Sequence, residues 1–476
     1  MGRPGVRARN GGGRLSTRLS RLLLAAALTL AAAQSARVMA TGSLMSGDAV
    51  YHFCHLHTLV VDRDLDPTNE IAHYQQARSS YTGLPKIGNA PPLDPVTGRA
   101  IDKYPIGTAL MLLPAYAGVY VSSLALSAAG IPADITGYGW TYQLAAGWLT
   151  AAYAALGLLA MIRVCQSGDV AEDVAVAAAA TIALATPWLF YVTLEPLFAH
   201  ALSATVVALL IRAWLVARSQ DRAGWWVATG VIGGLAAIIR YQDALFLIVP
   251  ALDALLHVRR RGLALPALAI GAVAGASPQL AANVALFGSP FHTGYAAEGF
   301  THLSSPWLLF TLFSSKVGLL RWSPIVALAL IGLAVGTRRG WIVARLGLVA
   351  VAAQWYLVSS WYFVSQGHTF GNRMLTNCAV FFVAGLGEMF RGAWGAQGAR
   401  GAQGAQGAQG ARGARGARGA RGAQGARGAQ GARGAQGAQG AMRRVMVAAG
   451  VVAITLNLIL IALWALGTIG PLARPS

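Results

Sequence analysis

The chain alternates long apolar runs with short polar breaks, and the breaks carry most of its arginines. A first run opens at Leu22, behind Arg3, Arg7, Arg9, Arg14, Arg18 and Arg21, fades near Ala33 and resumes at Val38-Met39-Ala40. That length also suits a signal peptide with Ser35-Ala36 as its cleavage site, but nothing soluble follows, and an uncleaved first helix is the preferred reading. Beyond it, runs long or nearly long enough to span a bilayer fall at 140–162, 172–192, 197–217, 224–239, 244–257, 264–286, 323–337, 342–360, 374–390 and 445–467. The pattern predicts an all-α, polytopic integral membrane protein of about eleven transmembrane helices. Trp140, Trp188, Trp225, Trp322, Trp341 and Trp361 fall near the expected ends, where indole rings settle at headgroup level.

Between residues 41 and 104 no run is long enough to cross, and Pro85, Pro91, Pro92 and Pro95 with Gly83, Gly88 and Gly98 mark irregular backbone. A large first external loop is expected there, with short interfacial helices. The run from Ile106 to Gly130 is long enough to span. If it crosses, however, Arg163, Arg212, Arg218, Arg222, Arg259-Arg260-Arg261 and Arg338-Arg339 all land outside, against the positive-inside bias. A re-entrant or interfacial segment broken at Pro114 is therefore expected. Under that topology Phe287 to Arg321 and Trp361 to Arg373 form two further external segments, both rich in glycine and aromatic residues.

Composition agrees with this class. Hydrophobic residues make up 55% of the chain and charged residues 11%, with a mean hydropathy of +0.53, which no soluble domain of this size shows. The formal charge of +20 does not imply nucleic acid as a partner, because the arginines sit at span ends and in one low-complexity segment. Cys54, Cys165 and Cys378 are far apart and predict neither a disulfide framework nor a structural zinc. Four regions follow: a basic cytoplasmic N-terminus (1–21), a transmembrane domain (22–390), a Gly-Ala-Gln/Gly-Ala-Arg segment (391–444) and a C-terminal helix with its tail (445–476). Glycine at every third place has the collagen period, but the repeat lacks the proline that pre-sets such a backbone, and a flexible basic cytoplasmic linker touching membrane lipids is expected.

Polar chemistry concentrates between Gly47 and Tyr116. Asp48 lies just beyond the first span, at headgroup level, where it is either a reactive carboxylate or a helix cap. Arg240 is a basic residue on the external side against the general bias, either functional or a snorkelling arginine paired with Asp243. Lys103 and Arg373, also external, suit contacts to a phosphate. Tyr104 and His368 sit in the same external segments as substrate-lining candidates, and Glu195 with His200 either lines an acceptor site or forms a buried pair. His52 and His55 would share a helical face that excludes His57, and no flanking carboxylate completes a zinc set, so no metal and no other cofactor is expected.

The run Gly47-Asp48, the stretch Asp64-Leu65-Asp66 with Asn69-Glu70, Lys103-Tyr104-Pro105-Ile106-Gly107, Gly318-Leu319-Leu320 with Ser323-Pro324, and Gly371-Asn372-Arg373 give the chain a family likeness. It resembles bacterial members of the C-type glycosyltransferase superfamily, in particular protein O-mannosyltransferases and the aminoarabinose transferase of lipid A. The resemblance implies transfer of a sugar from a polyprenyl-phosphate-linked donor to an acceptor hydroxyl on a glycan, lipid or protein. It places the site on the external face of the cytoplasmic membrane, with Asp48 as the base. Relatives often follow that aspartate with a second acid, where this chain has Ala49. A lipid or solute transporter or flippase is the alternative from another functional class; it would favour ionisable residues at mid-membrane and Gly/Pro-broken repeats.

Overall fold

The computed structural model describes residues 16–77, 91–256, 262–295, 298–367, 369–394 and 422–468. Ser16 opens the fold by accepting a hydrogen bond from the Leu19 amide, which caps helix α1 (Thr17–Thr41). After Gly42 come α2 (Asp48–His57), a π-helical turn (Thr58–Asp62) and α3 (Thr68–Gln76), all within the expected external loop. The chain then forms α4 (Gly107–Ala128), α5 (Trp140–Gln166), α6 (Glu172–Leu184), α7 (Trp188–Thr193), α8 (Ala199–Gln220) and α9 (Ala223–Ile239). A 3-10 segment (Tyr241–Leu247) leads into α10 (Ile248–Leu256), followed by α11 (Ala264–Phe287), α12 (Leu308–Phe313), α13 (Leu319–Trp322), α14 (Ile325–Arg338) and α15 (Ile342–Ser359). A second 3-10 turn (Arg373–Cys378) opens α16 (Ala379–Trp394), and α17 (Gly422–Ala465) closes the described chain. No strand is formed among the described residues, where the one extended pairing is an isolated bridge between Leu93 and Ala100.

Among the described residues, seven helices are long and apolar enough to cross a membrane: α1, α4, α5, α8, α11, α15 and the Gly440–Ala465 part of α17. Outward-facing Leu24, Leu28, Ile270, Val273, Val451 and Val452 are exposed on three of these, as lipid-facing positions of a multi-pass membrane protein are. Inside, Trp214, Trp226, Phe246 and Phe381 are fully buried at the centre of the larger apolar core. Helices α9 and α11 pack backbone to backbone. A Cβ at Gly230, Gly234, Gly271 or Gly275 would strike the facing backbone, so small residues set this contact as they do between membrane helices generally.

Two expectations change. Pro114 does not break the segment after Ile106: α4 runs through it as one helix, because only the bond to the residue four positions earlier is lost and neighbouring turns carry the helix on. The last helix starts at Gly422, inside the repeat, rather than near 445. Alanine, glutamine and arginine are good helix formers, and the apolar half of α17 supplies the nucleus from which a weak segment propagates.

Side-chain bonds show which helix ends share a level. Ser43 Oγ donates to Gln143 Oε1 at 2.9 Å, and the Leu44 amide reaches the same atom, tying the end of α1 to the start of α5. At the other end Ser16 Oγ donates to Glu172 Oε1 at 2.6 Å, with Arg163 within 3.8 Å of the same carboxylate. The end of α1 and the start of α5 thus lie at one end of the bundle, opposite Ser16 and Glu172. After α4 the chain folds back on the loop: Tyr116 Oη donates to the Gly137 carbonyl at 2.9 Å, and Tyr138 stacks on His57 with centroids 4.2 Å apart.

Candidate active site

At that same end of the bundle a cavity of about 1000 Å³ is lined by Asp48, Lys103, Tyr104, Glu195, Arg240 and Arg373. Six of the seven residues singled out in the sequence meet there although they are spread over more than three hundred positions; the seventh, His368, lies outside the described residues.

Asp48 is the first residue of α2, where the helix dipole favours a carboxylate. Gly47 before it has φ 46°, ψ −121°, and a Cβ there would meet the Phe198 ring at 3.3 Å. The backbone conformation favours glycine at this turn, and the ring leaves little room for a Cβ. Arg373 Nη1 lies 3.1 Å from Asp48 Oδ2, and Tyr104 Oη donates to Oδ1 at 2.8 Å. Burial pushes the Asp48 pKa up, but the Arg373 guanidinium, the Tyr104 hydroxyl, His52 and Lys103 together outweigh it and hold the carboxyl below its ordinary range. Tyr104 is itself held in place: its amide donates to Asp102 Oδ1 at 2.9 Å and its carbonyl faces His55 Nε2 at 3.1 Å. Burial raises Asp102 to about 6, against the opposing pull of His55.

The cations differ in how fully they are engaged. Lys103 is paired with Glu298 and lies 5.6 Å from the Tyr295 ring centroid. Arg373 spends its charge on Asp48, yet its Nε has no hydrogen-bonding partner among the described residues. Arg240 touches the Met374 sulfur and leaves Nη1 buried without a partner. Asp243, its partner in one of the two readings, is instead bonded to Ser203 at 2.5 Å and Asn377 at 2.8 Å. Both ring nitrogens of His52 and Nδ1 of His200 are likewise buried and unpartnered. Burial drives His52 down to about 3 despite Asp48 nearby, so its imidazole is neutral. The cavity is therefore rimmed by hydrogen-bonding groups that are desolvated and unspent, a costly arrangement that a polar ligand would relieve.

Glu195 and His200 do not form the pair that was one reading of them. Glu195 accepts from Ser46 at 2.6 Å and pairs with Arg37 at 3.3 Å. With Asp48 and Glu298 it brings the cavity's carboxylates to three among the described residues, whereas Ala49 is fully buried. An aromatic wall closes another side: Phe190 and Phe370 stack with centroids 4.4 Å apart, and Trp464 stands edge-on to both. Sequence reasoning did not reach Arg37, Tyr241 or Trp464, which lie at helix ends and meet the site only through tertiary contacts. Tyr295 and Glu298 sit in a segment already marked by its glycines and aromatics.

The histidines of α2 part company. His55 faces Asp102 at 3.3 Å, His52 faces the cavity, and His57 turns to Glu70 and Asp62, at 2.8 and 3.6 Å.

A family model of the collagen triple helix repeat matches residues 389–444. The match follows the glycine period of the Gly-Ala-Gln/Gly-Ala-Arg segment, includes none of the cavity residues, and overlaps the first part of α17. No curated protein and no solved structure matches the chain.

Proposed function

We propose that the protein is a membrane glycosyltransferase that moves a sugar from a polyprenyl-phosphate donor to an acceptor hydroxyl at the cavity. The observation that carries this reading is Asp48 beside Arg373 and near Arg240, both with unspent guanidinium N–H groups, in one cavity at a bundle end. In the reaction the acceptor oxygen bonds to the anomeric carbon while the bond from that carbon to the phosphate oxygen breaks. Asp48 takes the hydroxyl proton, and the leaving phosphate keeps the electron pair and is met by Arg373 and Arg240. Lys103 joins them once Glu298 yields, while Tyr104 holds Asp48 and Glu195 lines the acceptor side. The Asp48–Arg373 pair is the resting state: a donor phosphate competes for Arg373, and the released carboxylate regains its basicity.

The reading also accounts for the topology. On this reading the passes are α1, α5, α6 with α7, α8, α9, the Tyr241–Leu256 stretch, α11, α14, α15, the Arg373–Trp394 stretch and α17, about eleven in all, and α4 lies beside the loop rather than across the membrane. The arginine-bearing end then faces the cytoplasm and the cavity the outside of the cytoplasmic membrane. Transport fits less well, since Arg218–Asp253 and Arg339–Glu388 pair at the end away from the cavity and not at mid-membrane. Cysteines placed at Thr41 and Ala133 should label from one side and one at Asp169 from the other; labelling of Thr41 and Ala133 from opposite sides would mean that α4 crosses.

Every such donor leaves the same product, so polyprenyl phosphate is the general probe. It should raise the thermal midpoint of the purified protein where uncharged polyprenol does not. Arg373→Lys should weaken its binding by about tenfold, because a point ammonium cannot make the two-pronged phosphate contact. No stabilisation of the wild type by polyprenyl phosphate would remove the lipid-linked donor from consideration.

A further inference from the structure

Away from the cavity, the far end of α2 holds a second cluster. His57 Nδ1 lies 2.8 Å from Glu70 Oε1 and 3.6 Å from Asp62 Oδ2. Its other nitrogen, Nε2, lies 2.9 Å from the Thr136 carbonyl. A carbonyl only accepts, so Nε2 carries the proton and donates, and in the neutral ring Nδ1 presents a lone pair to two carboxylates. Glu70 is wholly buried and its Oε2 has no hydrogen-bonding partner. Among the described residues neither acid has an ion pair with a lysine or arginine. Two carboxylates around one imidazole in a largely dry place need a positive charge among them, which either a second proton on the ring or a bound cation supplies.

We propose that His57 Nδ1, Asp62 and Glu70 bind a divalent cation, best matched by zinc, at the C-terminal end of α2. The three ligand atoms already lie within 4.8 Å of one another. Zinc bonds to nitrogen and oxygen are about 2.0–2.2 Å long, so small side-chain shifts close the site. One imidazole and two carboxylates give a neutral complex with a 2+ ion and leave a fourth position for water. The surroundings are those of a metal centre: Nε2–H is anchored on the Thr136 carbonyl, and Asn69 donates to Asp62 Oδ2 at 2.8 Å. Asp62 is exposed, which gives the ion its way in.

The ion would join the π turn and α3 to the end of α2, whose last residue is His57 and whose first is Asp48. It would fasten the helix that presents Asp48 to the cavity. The inference does not rest on sugar transfer, and its test reads the metal directly.

The full-length protein, purified in detergent and stripped with a chelator, is titrated with zinc chloride, and bound metal is measured by mass spectrometry. The result expected is about one tightly held ion per chain and a raised thermal midpoint. Asp62→Asn, at an exposed position that leaves the core intact, and Glu70→Gln should each weaken binding at least as much as loss of an outer partner does, about 10–100-fold. His73→Ala, next to the cluster but not a ligand, should bind as the wild type does. Absence of zinc binding in the wild type, or equal binding in Asp62→Asn and Glu70→Gln, would overturn the proposal and leave a protonated His57 bridging the two acids.

Discussion

Two carboxylates, one at each end of the bundle, sit against arginine with opposite consequences. Glu388 lies between Arg339, at 2.5 Å, and Arg391, which holds it through two bonds at 3.0 and 2.7 Å. Its side chain is 1% exposed, and it does not line the cavity. Asp48 has one arginine and one tyrosine, a side chain 23% exposed, and neighbours whose polar atoms are buried and unpaired. Both are acid–arginine contacts, so pairing alone does not mark a reactive site. The difference is that the charges around Glu388 are spent on one another, whereas those around Asp48 are only partly spent and border a space that a ligand can fill.

The comparison breaks most readily at Asp48. Asp48→Asn keeps the shape and an acceptor oxygen but cannot take a proton, so transfer from a lipid-linked sugar should fall about 10²–10⁴-fold, roughly 3–5 kcal/mol of transition-state stabilisation. Polyprenyl phosphate should still bind this variant, because Arg373 is released for it. Full turnover in Asp48→Asn would end the general-base assignment, and joint loss of binding and rate would make Asp48 a structural residue.

Glu388→Gln should do the reverse. It leaves two arginines without their carboxylate, and because both are about one-third exposed the cost should be about 1–3 kcal/mol of stability, read as a lower thermal midpoint in detergent. Turnover per folded molecule should not change; a selective loss of rate would show that the far end takes part in the chemistry.

The smallest effect is one of pH. The folded pKa of Asp48 lies below its unfolded value of 3.8. Its contribution to stability is therefore fully present above the unfolded value and is lost as pH falls through the folded one. The stability gap between wild type and Asp48→Asn should be flat from neutrality to about pH 5 and narrow below about pH 4. A gap that narrows at neutral pH would mean that burial, not Arg373, dominates this carboxyl.

The sequence by itself determined that the protein is helical, where most of its apolar helices run, and that polar chemistry gathers just after the first of them. These are local properties: hydropathy over twenty residues, a glycine before an acid, arginines at span ends, and the chain in any conformation carries them. Counting charges set Ile106–Gly130 apart from the crossings as an expectation, yet by length and composition α4 is one of the seven helices able to cross among the described residues, and its continuity through Pro114 was not legible from the proline alone. What only the tertiary structure decided are the partnerships. Arg373 meets Asp48 across more than three hundred residues, Glu195 takes Arg37 instead of His200, and Asp243 turns from Arg240 to Ser203 and Asn377. Most tellingly, no spacing rule joins His57 to Glu70, because a π turn and the start of a new helix, with no fixed period, lie between them. A charged side chain in a dry interior takes whichever partner packing brings within about 3–4 Å, and that distance is set by helices folding against one another, not by their order along the chain.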